Sequence, residues 1–396
     1  MFSRFSTLRR IPSGVWVVGG VSLLMDVSSE MIHSLLPLFM ATTLGASVLV
    51  IGLIEGLAEA TALMVKVFSG VISDWLGKRK GLALLGYSLG ALSKPLFAIA
   101  STSGMILTAR LTDRLGKGIR GAPRDALVAD VTPPELRGAA FGLRQSLDTL
   151  GAFLGPLLAV GLMFLWHDDF RAIFWVAVIP GMMAVALLFF GLHEPRTPVA
   201  QKRTNPVSRA NLRRLGNATW WIIALGGIFT LARFSEAFLV LKALEVDIPL
   251  ALIPLVMVAM NLLYSVTAYP FGKLSDSMSH SQLLQWGLVV LILADIVLAL
   301  STHWAGVLVG VALWGIHMGM TQGLLAAMIA AASPADLRGT AFGMFSMISG
   351  VALLLASTGA GILWAFSGSA STFIAGALIC LATLVYLRVM AVRHAG

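Results

Sequence analysis

The amino-acid sequence predicts an all-α membrane protein whose twelve transmembrane helices form two pseudo-symmetric six-helix bundles. Three observations carry this expectation. The 396 residues are 58% hydrophobic and only 12% charged, about half the charged share of a soluble domain. Apolar runs long enough to cross a bilayer core, which takes roughly 20 helical residues, recur twelve times. Two stretches of sequence also return half a chain later at nearly one offset.

The first six runs lie near 14–40, 47–72, 82–100, 104–125, 138–165 and 170–192, and six more near 219–243, 250–271, 282–300, 304–332, 338–364 and 371–391. They are continuous rather than alternating, which favours helices that satisfy their own backbone over the strands of an outer-membrane barrel. The opening Arg4, Arg9 and Arg10 have the look of a signal peptide. The apolar run behind them is too long for one and lacks a small-residue cleavage site, so it reads as the first span. The lone Cys380 excludes a disulfide framework and a Cys-based zinc site.

Orientation follows from the basic residues. With a cytoplasmic N-terminus, eighteen of the 28 Lys and Arg fall in inside segments and only Arg171 and Lys242 outside. The positive-inside rule therefore puts both termini and the central linker in the cytoplasm. The net charge of +9 is spread over many short loops, a pattern of topology rather than of nucleic-acid binding. The linker, 193–218, contains Pro195, Pro198 and Pro206 and divides an N-terminal bundle, 1–192, from a C-terminal one, 219–396.

The internal repeat matches Pro133-Pro-Glu-Leu-Arg-Gly-Ala-Ala-Phe-Gly142 with Pro334-Ala-Asp-Leu-Arg-Gly-Thr-Ala-Phe-Gly343, and Gly70-Val-Ile-Ser-Asp74 with Gly272-Lys-Leu-Ser-Asp276. Parallel repeats of this kind are the architecture expected of an alternating-access carrier.

Between the second and third spans stands Gly70-Val-Ile-Ser-Asp-Trp-Leu-Gly-Lys-Arg-Lys80. Glycines let helix ends approach closely, and Asp74 can accept from basic groups or sit at another helix's N-terminus. A plainer reading has Lys78 to Lys80 only enforcing topology. This loop resembles a signature of the major facilitator superfamily, and the resemblance extends over essentially the whole chain. It implies that Gly70, Asp74, Gly77, Lys78 and Arg79 latch an outward-facing conformation. A weaker copy is expected at Gly272 and Asp276, where Ser279 and His280 replace the basic cluster. In the fifth span Gly142, Gly151, Gly155 and Pro156 resemble the motif of the superfamily's proton-coupled exporters, which implies a rocking helix interface. The glycine pair that completes that motif is Ala159 and Val160 here.

The fourth span is the least lipid-like. Arg110, Asp113, Arg114, Lys117, Arg120 and Arg124 recur at steps of three or four, mostly along one stripe. Each costs about 2.5–3.5 kcal/mol at a bilayer centre, so the stripe is expected to face a watery cavity or paired carboxylates. Arg110 resembles the superfamily's arginine associated with proton coupling. Partners are available: Asp26, Glu30 and His33 share a face of the first span, and Arg144 and Asp148 stand one turn apart in the fifth. The second half is poorer in charge, with Arg233, Glu236, Asp295 and His317 as its buried candidates.

These readings converge on a secondary transporter that moves a small organic solute by proton-coupled efflux. The substrate and proton pathway is expected at Asp26, Glu30, Arg110, Asp113, Lys117, Arg144, Asp148, Arg233 and Glu236. An importer of a small metabolite remains open, as does a receptor on the same fold. A carrier of copper or chelated metal is the other alternative, with His317 and Met320 as soft ligands. No HExxH or Walker pattern suggests an enzyme or a cofactor. The expected partners are the solute, protons and lipid, for a monomer in a bacterial inner membrane.

Overall fold

The computed structural model describes residues 10–76, 79–192, 209–246, 248–274, 278–334 and 337–395. Among these, nine helices are long and apolar enough to cross a membrane. Three further segments complete the twelve-helix fold. The fourth span, Ser103–Asp130, is long but charged; the seventh is two shorter pieces, Asn217–Leu231 and Ala237–Leu244; the twelfth, Ser369–Ala395, is apolar up to Val385. Large apolar side chains such as Phe190 (76% exposed) and Phe366 (84%) stand on the outer surface, as they do when the solvent is lipid.

The helix ends follow local chemistry. Thr102 accepts from the Met105 N–H, Asp169 from Ala172 and Ser279 from Gln282, each supplying an orphan donor of a first turn. Between the eleventh span, Arg338–Ser367, and the twelfth there is only Gly368, at φ +84. That left-handed conformation suits glycine. The first span, Ser13–His33, runs on through a wide π-type turn, Phe39–Thr43, closed by Leu44 N–H to Phe39 O at 3.2 Å.

The chain divides into two compact units, one of Met1–Leu36 and Thr61–Asn205, the other of Pro37–Ala60 and Pro206–Gly396. In the first unit the first span packs on the fifth (Arg137–Leu165) and sixth (Phe170–Gly191), and the third (Arg79–Ile99) on the fourth and sixth. In the second unit the seventh span packs on the eleventh and twelfth, and the ninth (His280–Leu300) on the tenth (Trp304–Ala332) and twelfth. Adding six to each span number of the first set gives the second, so the sequence repeat is also a repeat of packing.

The sequence predicts one helix over 219–243, but the seventh span is broken at 232–236. No proline or glycine causes this. Backbone donors freed by the break are taken up by side chains, as an apolar setting demands: Ser235 N–H donates to Ser357 Oγ at 3.1 Å and Ala237 N–H to Ser235 Oγ at 3.3 Å. Ser235 Oγ in turn donates to Glu55 Oε2 at 3.4 Å.

Candidate functional site

The charged stripe of the fourth span lies inside the first unit. Arg110, Asp113, Arg114 and Arg120 are buried, whereas Lys117, a turn away, is exposed. Burial is possible because neighbouring helices supply opposite charge and because glycines bring their backbones close. A Cβ on Gly116 would sit 2.5 Å from Gly86 O, and one on Gly86 would sit 2.6 Å from Gly116 O. The third and fourth spans therefore touch main chain to main chain, which only small residues allow.

This contact sets Lys94 of the third span against Asp113. Lys94 is wholly buried, and its Nζ donates to Asp113 Oδ1 at 2.8 Å and to Ser29 Oγ at 2.9 Å. On the other side His33 bridges two carboxylates, with Nε2 3.4 Å from Asp113 Oδ2 and Nδ1 3.6 Å from Glu30 Oε1. A neutral imidazole has one donor and one acceptor nitrogen. A ring facing acids at both nitrogens is complete either as imidazolium between two carboxylates or as neutral imidazole with one acid protonated. The two forms hold the same number of protons, so a proton can pass between ring and acid without rearrangement of the helices.

A second group lies about three turns along the fourth span. Arg144 Nη1 donates to Asp148 Oδ2 at 2.5 Å and its Nη2 to Gln145 Oε1 at 2.9 Å. Arg124 Nε donates to Asp125 Oδ1 at 3.2 Å, and its Nη1 lies 3.7 Å from Asp148 Oδ2. The Arg120 guanidinium stacks on the Tyr87 ring at 4.9 Å, a favourable cation–π geometry. Asp26 is half-buried, on the same face of the first span as Glu30.

The profile of the Major Facilitator Superfamily matches residues 18–243 and 223–395. The chain belongs to that superfamily. An uncharacterized MFS-type transporter of Methanocaldococcus jannaschii is 33% identical over 380 residues, 94% of each chain. A multidrug resistance protein MdtH of Edwardsiella ictaluri is 27% identical over 288 residues, 71% of this chain and 69% of its own. Among solved structures, a POT family transporter superposes with a TM-score of 0.80 at 14% identity, covering 98% of this chain and 99% of that one. The chain is thus an integral membrane transporter of a family whose work implies a small-molecule substrate.

Within this facilitator the glycines of the fifth span divide into two kinds. A Cβ on Gly151 would meet Leu23 O at 2.7 Å and Asp26 Cβ at 2.9 Å, and one on Gly155 would meet Glu30 Cβ at 2.7 Å and Val27 O at 3.0 Å. These two, with the buried Pro156, seat the fifth span directly behind the carboxylates of the first. Gly142 meets nothing within 4 Å, so no close approach explains it in this conformation.

Of the loop residues, Gly77, Lys78, Asp276 and the side chain of Asp74 lie outside the described residues. Gly70 stands 3.4 Å from Ala122 Cβ by the same measure, and Gly272 meets open space. Arg79 pairs with Asp130 at the end of the fourth span, Nη1 to Oδ2 at 3.1 Å. Lys80 Nζ donates to Phe189 O at 2.8 Å and Leu192 O at 2.5 Å, the orphan carbonyls at the end of the sixth. Part of the basic cluster therefore ties helix ends together within the first unit.

In the second unit Arg233 and Glu236 lie within the break of the seventh span, Arg233 stacked 5.9 Å above Phe229. His317 and Met320 are buried on the tenth span, and His317 Nδ1 is engaged with Gly287 O at 2.8 Å. Among the described residues no group of three His, Cys, Asp or Glu could hold a metal ion. Lys94 is the participant that sequence reasoning passed over. A single lysine inside an apolar run was the available signal, since an ionisable residue within a membrane span is a functional candidate by default.

Proposed function

We propose that this facilitator exports a small organic solute in exchange for protons by alternating access. The observation that carries the reading is the buried Lys94–Asp113–His33–Glu30 chain. Such a chain is costly to bury and gains nothing for packing, but its two acids on one imidazole form a unit that binds and releases a proton. Arg144 with Asp148, and Asp26 beside the glycines of the fifth span, extend the pathway. Arg110, Lys117, Arg233 and Glu236 supply charges for the solute. Efflux is favoured over import by the likeness to MdtH multidrug resistance proteins. In this reading residues 1–192 and 219–396 are the two rocking bundles, 193–218 is a cytoplasmic linker, and the loop around Gly70, Asp74 and Arg79 latches one state. The protein works as a monomer in a bacterial inner membrane with both termini in the cytoplasm.

The test is made in proteoliposomes holding a proton gradient and a pH-sensitive dye. Cationic drugs, organic anions, amino-acid-like zwitterions and free or chelated metals are added class by class. Collapse of the gradient with one organic class, abolished in Glu30→Gln and Asp148→Asn, is the expected result. A folded protein that collapses the gradient with no class, or whose two variants keep full proton flux, overturns the proposal.

A further inference from the structure

The repeat places a buried ionisable residue in the second unit for which the transport reading has no use. At the 201-residue offset of the Pro133 and Pro334 stretches, Lys94 and Asp113 correspond to Asp295 and Trp314. The first pair is an ion pair at 2.8 Å. In the second unit the cation's place is taken by an acid and the acid's place by an indole. Asp295 is fully buried, and among the described residues neither of its carboxylate oxygens has a hydrogen-bond partner. The Trp314 N–H, also buried, has none either.

The surroundings of Asp295 are unsuited to a negative charge. A Cβ on Gly376 of the twelfth span would lie 2.7 Å from Asp295 Oδ2 and 3.4 Å from the Ala232 carbonyl oxygen. The absent side chain thus leaves room that the carboxylate itself fills, lying against the twelfth-span backbone with the Ala232 carbonyl on the same side. Ala232 closes the first piece of the broken seventh span, so its carbonyl belongs to the negative end of a helix dipole. The titratable groups on the packed elements include Arg233 and Glu236 of the seventh-span break, His317 on the tenth span and Cys380 on the twelfth. Arg233 stacks on Phe229 and forms no ion pair with Asp295 among the described residues, and His317 is engaged with Gly287. An unpaired carboxylate buried in this way costs several kcal/mol, whereas a carboxylic acid can turn its O–H toward the helix-end carbonyl.

We infer that Asp295 is a second proton-binding site, housed in the second unit and separate from the Asp113 chain. In the conformation described here it is the neutral acid. When water reaches the carboxyl beside Gly376, the O–H bond breaks, the electron pair stays on the carboxylate, and the proton leaves on water. The inference goes beyond the transport reading and does not depend on which solute is carried.

Infrared spectroscopy of the full chain in liposomes tests it without any transport assay. At neutral pH the parent protein is expected to show a protonated-carboxyl C=O stretch that Asp295→Asn removes and Asp113→Asn leaves in place. Asn has the shape of the neutral acid and is expected to fold. Should that variant not fold, Gly376→Ala, which sets a methyl against Oδ2, is expected to move the same band. A parent spectrum unchanged by either substitution overturns the inference. So does loss of the band on adding sodium chloride but not choline chloride, which would assign the carboxylate to a sodium ion.

Discussion

Lys94→Met removes a buried cation that contacts Asp113 directly. In the parent protein Nζ is wholly buried and makes two bonds, 2.8 Å to Asp113 Oδ1 and 2.9 Å to Ser29 Oγ. Ser93 Oγ at 3.5 Å and the His33 ring at 3.4 Å still reach Asp113 after substitution, with the Arg114 charge nearby. Breaking a buried pair by removing one partner costs about 3–5 kcal/mol, mostly because the other charge is stranded. Unfolding entropy near 2.1 cal/mol/K per residue over 396 residues gives about 0.8 kcal/mol per degree. The apparent Tm in detergent, followed by tryptophan fluorescence, is therefore expected to fall by about 4–6 °C. Asp113→Asn strands Lys94 instead and is expected to fall similarly. The decisive variant carries both changes: with neither charge left to strand, its loss should be close to that of either single change, a coupling of about 3 kcal/mol. A Lys94→Met protein within one degree of the parent, or a double variant whose loss equals the sum of the singles, would refute the ion pair as drawn.

Three further outcomes are expected. Asp74→Asn should slow transport by unbalancing the two states while leaving solute affinity nearly intact; unchanged flux at saturating solute in vesicles removes it from the latch. Gly155→Val drives a side chain into Glu30 Cβ and the Val27 carbonyl, 2.7 and 3.0 Å from the first added carbon, and is expected to cost about 1–3 kcal/mol or more; a monodisperse gel-filtration profile at the parent's Tm would count against this packing. Arg171 donates from Nη1 to Ala98 O at 2.9 Å and from Nη2 to Ala100 O at 2.7 Å, closing the end of the third span. Arg171→Lys cannot reach both in that fork, so the apparent Tm should drop by about 2–4 °C, as for one or two charged hydrogen bonds, and an unshifted Tm argues against the cap.

What could be read in advance depended on the range of the interaction. Apolar runs are local, and they predicted eleven continuous spans well because a bilayer leaves the backbone little choice but helix. The charged stripe of the fourth span was legible for the same reason, since six ionisable residues at helical spacing cannot face lipid. The break at 232–236 was not. Its sequence, Ala-Arg-Phe-Ser-Glu, holds no helix breaker, and the hydroxyls that satisfy it come in part from Ser357, four spans later. Gly151 and Gly155 were visible as a pattern, but not that Asp26 and Glu30 are what they make room for. Nor did anything in residues 37–60 mark them for the second unit rather than the first.

Lys94 and Asp295 illustrate the same limit in charge. Each is one ionisable residue in an otherwise apolar run, and a sequence gives no distance from either to a counter-ion. Only packing separates them: the third and fourth spans meet at Gly86 and Gly116, which brings Lys94 within 2.8 Å of an acid. At the equivalent place in the second unit the facing residue is Trp314, and Asp295 has no counter-ion among the described residues. A repeat that has kept its helix pairing while reversing and unpairing a buried charge retains the scaffold and changes the chemistry. The first unit sets its acid against a lysine, whereas the second buries its acid with no cation beside it among the described residues. Two halves of common design therefore differ in how they can hold a proton, and that difference is what the Asp295→Asn and Asp113→Asn spectra read.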